Sequence, residues 1–229
     1  MPFGTSDTFY DYSDYLNQIV NRYDATIAAM FFGHTHKDQF QLSYTTPAAP
    51  SAANAIMTSY ICPALTPTSG EPAFHVYSVD PVTFGVLDYT EYSTSLEASN
   101  YQTAGPTWNP YYSAKATYGA ALKYTSPTAE LTPAFWHNVT SAFQTNDTLF
   151  QQYITRKSRG YGVSACTGTC KTSEICQLRA ADAQYNCATV SPGINFKRSV
   201  AESEIPHDHT DECAGSKVAA IMKNIAGTA

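Results

Sequence analysis

Charge is scarce in this sequence of 229 residues. Only 14% of the residues are charged, and 13 basic residues stand against 19 acidic ones, so the formal net charge is −6 and the pI is about 5.4. A chain with so little positive charge lacks the electrostatic footprint of a protein that binds nucleic acid or an anionic membrane. The composition therefore favours a neutral or small-molecule partner and argues against nucleic acid.

Long apolar runs, nucleotide-binding motifs and internal repeats are absent as well. No stretch has the roughly 20 apolar residues of a transmembrane helix. The opening residues MPFGTSDTFYDYSDYLNQ lack the basic and apolar regions of a secretory signal. Neither a P-loop nor a dinucleotide-binding fingerprint occurs. We therefore expect no transmembrane segment and no site of those two nucleotide-binding types.

Cysteine, by contrast, is used in a pattern that suits disulfides. Four of the six cysteines fall within 22 residues and two stand apart: the cluster is Cys166, Cys170, Cys176 and Cys187, and the others are Cys62 and Cys213. C-x3-C followed by C-x10-C without a nearby histidine fits a zinc site poorly. We expect two local disulfides in an oxidising compartment, with metal binding or free thiols as the alternatives.

Export is supported by two acceptor sequons but conflicts with the missing signal. The sequons begin at Asn138 and Asn146. A chain that carries disulfides needs a route out of the reducing cytosol. Either export is unconventional, or Met1 is an internal residue of a longer protein.

The first hundred residues combine one helix with a series of strands. Apolar residues at helical spacing from Leu16 to Ile27 predict an amphipathic helix that Asp11 or Ser13 could cap. The apolar run TIAAMFF, residues 26–32, predicts a strand buried on both faces. Further strands, which would complete a sheet, are predicted at residues 39–44, 55–61, 74–79 and 84–92.

Helical periodicity returns after residue 107. Apolar residues from Tyr111 to Leu122 and from Phe135 to Ile154 follow the helical period, with Thr132 and Pro133 as a helix start. Gly160 is a helix stop, and a short helix is expected at 172–183 between the cysteines. We divide the chain into residues 1–95, a helical part at 96–193 and a mostly disordered tail at 194–229.

Two histidines directly after the apolar run are the main candidates for a functional site. His34 and His36 stand one residue apart in FFGHTHKDQF, after Gly33. Neutral imidazoles on a tight loop at the carboxyl end of a strand can bind one metal ion, or one ligand each to two ions. Spacing alone does not decide the matter, since H-x-H also occurs by chance. We interpret a second pair, His207 and His209, as part of a solvated segment.

The surroundings of the first pair identify a family. The stretch YDATIAAMFFGHTHKDQFQLSY at 23–44 closely resembles the end of the catalytic domain of acid sphingomyelinases, which are calcineurin-like metallophosphoesterases. The resemblance continues through FHVYSVDP at 74–81, TPAFWHN at 132–138 and CTGTC with the two following cysteines. It covers roughly residues 1–195.

The resemblance implies a fold and a set of bound groups. The fold would be α/β: the C-terminal part of a calcineurin-like β-sandwich with flanking helices, followed by a disulfide-stapled helical subdomain. His34 would ligate one zinc ion and His36 the other. Disulfides would join Cys166 to Cys170, and Cys176 to Cys187. The family's upstream ligand blocks do not occur before Gly33, so the sequence is expected to begin inside the catalytic domain.

The resemblance also implies an activity. The family cleaves sphingomyelin to ceramide and phosphocholine by means of a metal-bound hydroxide, at a membrane or lipoprotein surface, outside the cell or in the lysosome or vacuole. Two imidazoles cannot complete a two-zinc site, so we expect this chain to have negligible activity alone. We also expect it to be a monomer. The alternatives are a related enzyme that acts on nucleotides or other phosphodiesters, and a non-catalytic secreted domain that binds lipid or a partner.

Other singled-out residues have more ordinary interpretations. His75, inside a predicted strand, is interpreted as structural rather than as a ligand, and His137, on a helix, as a packing or hydrogen-bonding residue. Asp38 could orient a histidine through a hydrogen bond. Four aromatic residues could face lipid or choline, although such a stripe more often lies in the core: Trp108, Tyr111, Tyr112 and Tyr118.

Overall fold

The computed structural model describes residues 1–99 and 101–188, so the predicted tail at 194–229, Cys213 and the His207–His209 pair lie outside the described residues. The helices are α1 (Tyr10–Arg22), α2 (Tyr101–Ala104), α3 (Ala120–Leu122), α4 (Pro133–Thr145), α5 (Asp147–Lys157) and α6 (Thr169–Leu178). The strands are β1 (Met30–Phe32), β2 (Gln39–Tyr44), β3 (Ala55–Ile61), β4 (Ala73–Val79), β5 (Val86–Ser93) and β6 (Asn109–Ser113). A π-helical turn covers Lys115–Gly119 and a 3-10 turn covers Ala183–Tyr185.

The strands form two small sheets rather than one. The first has the order β1-β3-β2, in which β1 runs parallel and β2 antiparallel to β3. The second is antiparallel with the order β4-β5-β6. The predicted strands at 39–44 and 55–61 are confirmed residue for residue, and those at 74–79 and 84–92 are confirmed to within two residues. Together with the helices and two disulfides, the sheets make a mixed α/β fold.

The beginning of the chain differs from its prediction. Helix α1 ends at Arg22, and neither Asp11 nor Ser13 caps it, because Phe9 occupies the cap position without a side-chain bond. The Ser13 hydroxyl lies inside the helix, where it donates to the Ala181 carbonyl (3.3 Å) and accepts from the Ala183 amide (2.7 Å). A contact with residues far along the chain therefore replaces the local cap that the sequence suggested.

Strand β1 is shorter and less buried than predicted. It covers three residues instead of seven, since turn hydrogen bonds from Thr26 and Ile27 to the Tyr23 carbonyl occupy the start of the apolar run. Phe31 is 53% exposed because β1 is an edge strand, with β3 as its partner within the described residues. The prediction of a strand buried on both faces is wrong.

Strand β6 replaces a segment that was predicted to be helical. Asn109–Ser113 pairs with β5, for example Thr90 with Ser113. Of the aromatic stripe, Tyr112 and Tyr118 are buried, and Trp108 contacts the Phe74 ring edge-on at 5.1 Å. The stripe is therefore divided: Tyr112 and Tyr118 belong to the core, whereas Trp108 is half-buried and Tyr111 is exposed. Cross-strand aromatic packing stabilises this strand although its tyrosines also fit a helical period.

The helices after residue 130 follow their sequence signals. The Thr132 side chain accepts a hydrogen bond from the Phe135 amide, with Pro133 at the first helical position. Helix α5 stops at Lys157, shortly before Gly160 in the left-handed region (φ 83°). Helix α6 begins three residues earlier than predicted. The helices bury large apolar side chains in the main core: Trp136, Val139, Phe143, Phe150 and Tyr153.

Both disulfides have the pairing that the family resemblance implied. Cys166 bonds to Cys170, and Cys176 bonds to Cys187. Cys62 is half-buried and is a free thiol. Among the described residues, no helix combines the length and the apolarity that crossing a bilayer requires.

Candidate functional site

The candidate histidines lie on a loop directly after β1, residues 33–38, which we call the histidine loop. His34 and His36 both adopt left-handed backbone conformations, with φ of 79° and 59°. Such conformations cost non-glycine residues about 1 kcal/mol or more and persist where surrounding contacts hold them. The two positions are therefore held by tertiary contacts rather than by local preference.

Each histidine has a different partner. The exposed His34 places its Nε2 2.6 Å from Oδ2 of Asp7. The half-buried His36 shares a short hydrogen bond between its Nδ1 and the Thr68 hydroxyl. Partial burial of Asp7 acts to raise its pKa, but hydrogen bonds from Thr5 and His34 outweigh burial and hold that pKa below its usual value. Asp7 thus stays an anionic acceptor for the imidazole of His34.

The buried Arg159 ties the histidine loop to the helical part of the chain. Its Nη1 donates to the His36 carbonyl (3.2 Å) and to the Lys157 carbonyl (2.9 Å), and its Nε donates to the Glu71 carbonyl (2.7 Å). The Asp38 amide also donates to the Lys157 carbonyl, at 3.1 Å. The end of α5 therefore fixes the backbone on both sides of Lys37.

A second polar group lies inside the protein next to this loop. It consists of Asp38, His75 and Glu91, which we call the buried triad. Any two of their nearest ligand atoms lie within 4.8 Å of each other, so the triad is a group that could hold a metal ion. His75 on β4 and Glu91 on β5 are direct cross-strand partners, and Asp38 comes from the segment before β2. The triad thus links the end of the histidine loop to the second sheet.

The triad is closely surrounded by protein. Nε2 of His75 lies 3.4 Å from Oδ1 of Asp38 and 3.9 Å from Oε2 of Glu91, and the three side chains are at most 4% exposed. Tyr112 donates a short hydrogen bond to Oδ2 of Asp38, and the Tyr77 hydroxyl lies 2.9 Å from Nδ1 of His75. Asp38 therefore contacts a histidine, as the sequence suggested, but the histidine is His75.

Burial controls the electrostatics of this region. Burial and the negative charge of Asp38 raise the pKa of the Glu91 carboxyl far above its ordinary value, although Arg159, 3.8 Å away, opposes the shift. Burial likewise raises the pKa of the Cys62 thiol, against a hydrogen bond from the His75 amide. Burial therefore favours the protonated, neutral forms of Glu91 and Cys62.

His137 has the packing role that the sequence predicted. It is buried on α4, and its Nδ1 lies 3.0 Å from the Tyr44 hydroxyl. Burial, together with the nearby Arg179 guanidinium, lowers the pKa of His137 to about 4. A neutral imidazole at this position accepts the hydrogen bond from Tyr44.

The sequence led to the histidine loop but not to the buried triad. Two of the triad residues face each other only because β4 and β5 pair in one particular register. The available signal was an alternation of polar and aromatic residues in both strands, FHVYSV and VLDYTEYS, which places His75 and Glu91 inward with Tyr77 and Tyr89. Without the register, that alternation does not identify partners.

The chain was compared with known proteins. No family model matches it. A sphingomyelin phosphodiesterase of Homo sapiens is 34% identical over 183 residues, which are 76% of this chain and 27% of that protein. Sphingomyelin phosphodiesterase B of Dictyostelium discoideum is 30% identical over 191 residues, 79% of this chain and 28% of that protein. A cyclic GMP-AMP phosphodiesterase of Rattus norvegicus is 27% identical over 180 residues, which are 75% of this chain and 37% of that protein.

The similarity extends over most of this chain but over a limited part of each relative. The chain spans 27% to 37% of the length of these three proteins. Several relatives that share 28% to 34% of their aligned residues with it carry the same name, sphingomyelin phosphodiesterase. The chain belongs to the acid sphingomyelinase family.

Proposed function

We propose that this chain forms part of a zinc-dependent phosphodiesterase that cleaves sphingomyelin to ceramide and phosphocholine. The observation that carries the proposal is the histidine loop: two imidazoles, one residue apart, held in left-handed conformations after a strand. Strain of this kind is concentrated at functional sites. The names of the related sphingomyelin phosphodiesterases support the reaction class. The calcineurin-like architecture is part of this proposal.

The donor set of the loop fits zinc. If Nε2–H of His34 donates to the Asp7 carboxylate, its Nδ1 carries a free lone pair, and the carboxylate orients the ring. If Nδ1 of His36 is engaged by Thr68, its Nε2 is the free ligand atom. Neutral imidazole nitrogens with such partners are common zinc ligands. His34 and His36 are therefore proposed as metal ligands, one to each of two zinc ions.

When bound, a pair of zinc ions supplies a hydroxide nucleophile and stabilises the charge that develops on the phosphoryl oxygens. The residues of this chain hold the two imidazole ligands in position. Asp7 and Thr68 fix the rings of His34 and His36, and Arg159 fixes the loop backbone. Each zinc ion takes about four ligands. Because two imidazoles supply only one ligand to each, we propose that the chain has negligible activity by itself.

The test uses the longest protein encoded in frame with this chain. Zinc content and phosphocholine release from sphingomyelin vesicles are measured for wild type and for the double variant His34→Ala/His36→Ala. The variant should bind less zinc than wild type and lose more than about 100-fold of kcat/KM, since loss of a ligand costs at least as much as loss of a residue that orients one. The matched control is His207→Ala/His209→Ala, the other H-x-H pair, which should leave both quantities unchanged. Full turnover in the first variant would refute the assignment.

A nucleotide or another phosphodiester is the second candidate substrate. The observation in its favour is the similarity to a cyclic GMP-AMP phosphodiesterase. The same purified protein is assayed with sphingomyelin vesicles and with cyclic GMP-AMP at equal concentrations. A larger kcat/KM for the cyclic dinucleotide would replace sphingomyelin as the proposed substrate while leaving the metal assignment in place.

An oxidising compartment, outside the cell or in the lysosome or vacuole, completes the proposal. Two disulfides support it, and the acceptor asparagines Asn138 and Asn146 are both exposed. Removal of N-linked glycans should lower the apparent mass of the cellular protein. Unmodified asparagines together with free thiols at Cys166 and Cys170 would refute this location.

A further inference from the structure

The buried triad contains polar atoms that have no partner. Nε2 of His75 and both carboxylate oxygens of Glu91 are inaccessible to solvent and make no hydrogen bond. The Glu91 side chain is 0% exposed. Leaving a buried polar or charged group unpaired costs several kcal/mol. Of these atoms, Nε2 of His75 and Oε2 of Glu91 lie close to each other and to Oδ1 of Asp38, so a single bound group could satisfy both.

The surrounding hydroxyls leave the converging atoms free as ligands. Tyr112 occupies Oδ2 of Asp38 and leaves Oδ1 directed at His75. With Nδ1–H of His75 donating to the Tyr77 oxygen, Nε2 carries the lone pair, and this atom lies 3.4 Å from Asp38 and 3.9 Å from Glu91. A histidine that ligates a metal characteristically donates its other ring N–H in this way. The arrangement thus has both the ligand atoms and the partners that orient them.

The distances suit a small divalent cation. A tetrahedral zinc ion with bonds of about 2.0–2.1 Å holds its ligand atoms about 3.4 Å apart. Nε2 of His75 is 3.4 Å from Oδ1 of Asp38, and a shift of about 0.5 Å by Glu91 brings its 3.9 Å separation to the same value. Two carboxylates also neutralise a divalent charge, while Arg159 faces the other Glu91 oxygen, Oε1.

We propose that Asp38, His75 and Glu91 bind one divalent cation of the zinc type at a site that includes neither His34 nor His36. The ion would join the end of the histidine loop, just before β2, to strands β4 and β5 of the second sheet. Its role is structural, since the ligands are almost completely buried and offer a substrate no access. The inference does not depend on the proposed reaction.

The test distinguishes zinc bound by the triad from zinc bound by His34 and His36. The purified chain carrying His34→Ala/His36→Ala is dialysed against zinc and then against metal-free buffer, and bound zinc is counted by mass spectrometry. One zinc per chain should remain. Adding Glu91→Gln, which keeps the shape but removes one charged ligand, or His75→Gln should weaken binding by at least about 100-fold. His137→Asn, which alters a buried histidine outside the triad, should leave the zinc count at one.

Two outcomes overturn the proposal. The first is a zinc count near zero in the folded chain that lacks the loop histidines. It would mean that protonation, and not a metal ion, neutralises the negative charge of the triad carboxylates. The second is unchanged zinc binding in folded Glu91→Gln and His75→Gln variants. Circular dichroism shows whether each variant is folded. In the protein with an intact triad, cobalt is also substituted for zinc, and its visible absorption spectrum reports the coordination of the metal without any triad mutation. Cobalt bands without tetrahedral or five-coordinate character would count against the site.

Discussion

The chain should lose stability as the pH falls from 6.5 to 4, and His137 should account for a measurable part of the loss. In the folded protein, burial and Arg179 lower the pKa of His137 from 6.5 to about 4. The imidazole therefore stays neutral in the folded state at pH values where the unfolded chain binds a proton. Stability is complete above about pH 6.5 and decreases as the pH falls, because the unfolded state binds more protons.

The size of the effect follows from the two pKa values. The difference between the ordinary pKa of 6.5 and the folded-state pKa of about 4 corresponds to a limiting loss of roughly 3 to 4 kcal/mol. Integration of proton binding gives a loss of about 2 kcal/mol at pH 5 and about 3 kcal/mol at pH 4, and almost none at pH 7.5. Protonation also removes the acceptor that Nδ1 offers to the Tyr44 hydroxyl.

The assay is urea denaturation of wild type and His137→Asn at pH 7.5, 5 and 4. Asparagine keeps an acceptor near the position of Nδ1 but does not titrate, so it is the matched control. Other groups titrate in both proteins and cancel in the difference. We expect His137→Asn to be the less stable protein at pH 7.5 and to recover about 2 kcal/mol relative to wild type by pH 5. Parallel pH profiles for the two proteins would refute this reasoning.

Three further predictions concern the helical part of the chain. Thr132→Ala removes the cap of α4 and should lower the free energy of unfolding in urea by about 1 kcal/mol, whereas Thr132→Ser should retain most of it. Glu174→Gln weakens the ion pair with Lys157, whose Nζ lies 2.6 and 2.7 Å from the two carboxylate oxygens. It should cost about 2 kcal/mol in the same measurement, with little recovery in high salt. Replacing Cys176 and Cys187 by serine opens a closed loop with a sequence separation of 11, and should cost about 3 kcal/mol. An unchanged urea midpoint would contradict the corresponding prediction.

Elements with strong local signals could be predicted from the sequence. Helix α4 begins where Thr132 and Pro133 provide a cap and a fixed φ, and strands β2 and β3 have the predicted bounds. The cysteine spacing indicated two local disulfides, and the family resemblance indicated their pairing. These contacts are local or join elements that follow one another in the chain, so the sequence contains most of the information.

Elements that depend on distant contacts could not be predicted in the same way. Asn109–Ser113 is a strand because β5 offers it an edge, and Ser13 leaves its expected capping role because Ala181 and Ala183 offer it partners. The buried triad depends on the register of β4 and β5. Local periodicity shows neither that β5 has a free edge nor in which register β4 and β5 pair. The histidine loop is therefore recognisable from its sequence motif, whereas the buried triad is recognisable only from the folded structure.

The geometry of the histidine loop depends on residues far along the chain. Left-handed conformations at His34 and His36 are unfavourable in an isolated peptide, so the sequence GHTH does not create this loop by itself. The bond from Arg159 to the His36 carbonyl comes from a position 123 residues later, just beyond α5. Arg159 is itself held by the Lys157 and Glu71 carbonyls and lies beside Glu91. The helical part of the chain therefore does more than cover the sheets: it holds the loop backbone at His36, one of the two proposed metal ligands, and at Asp38.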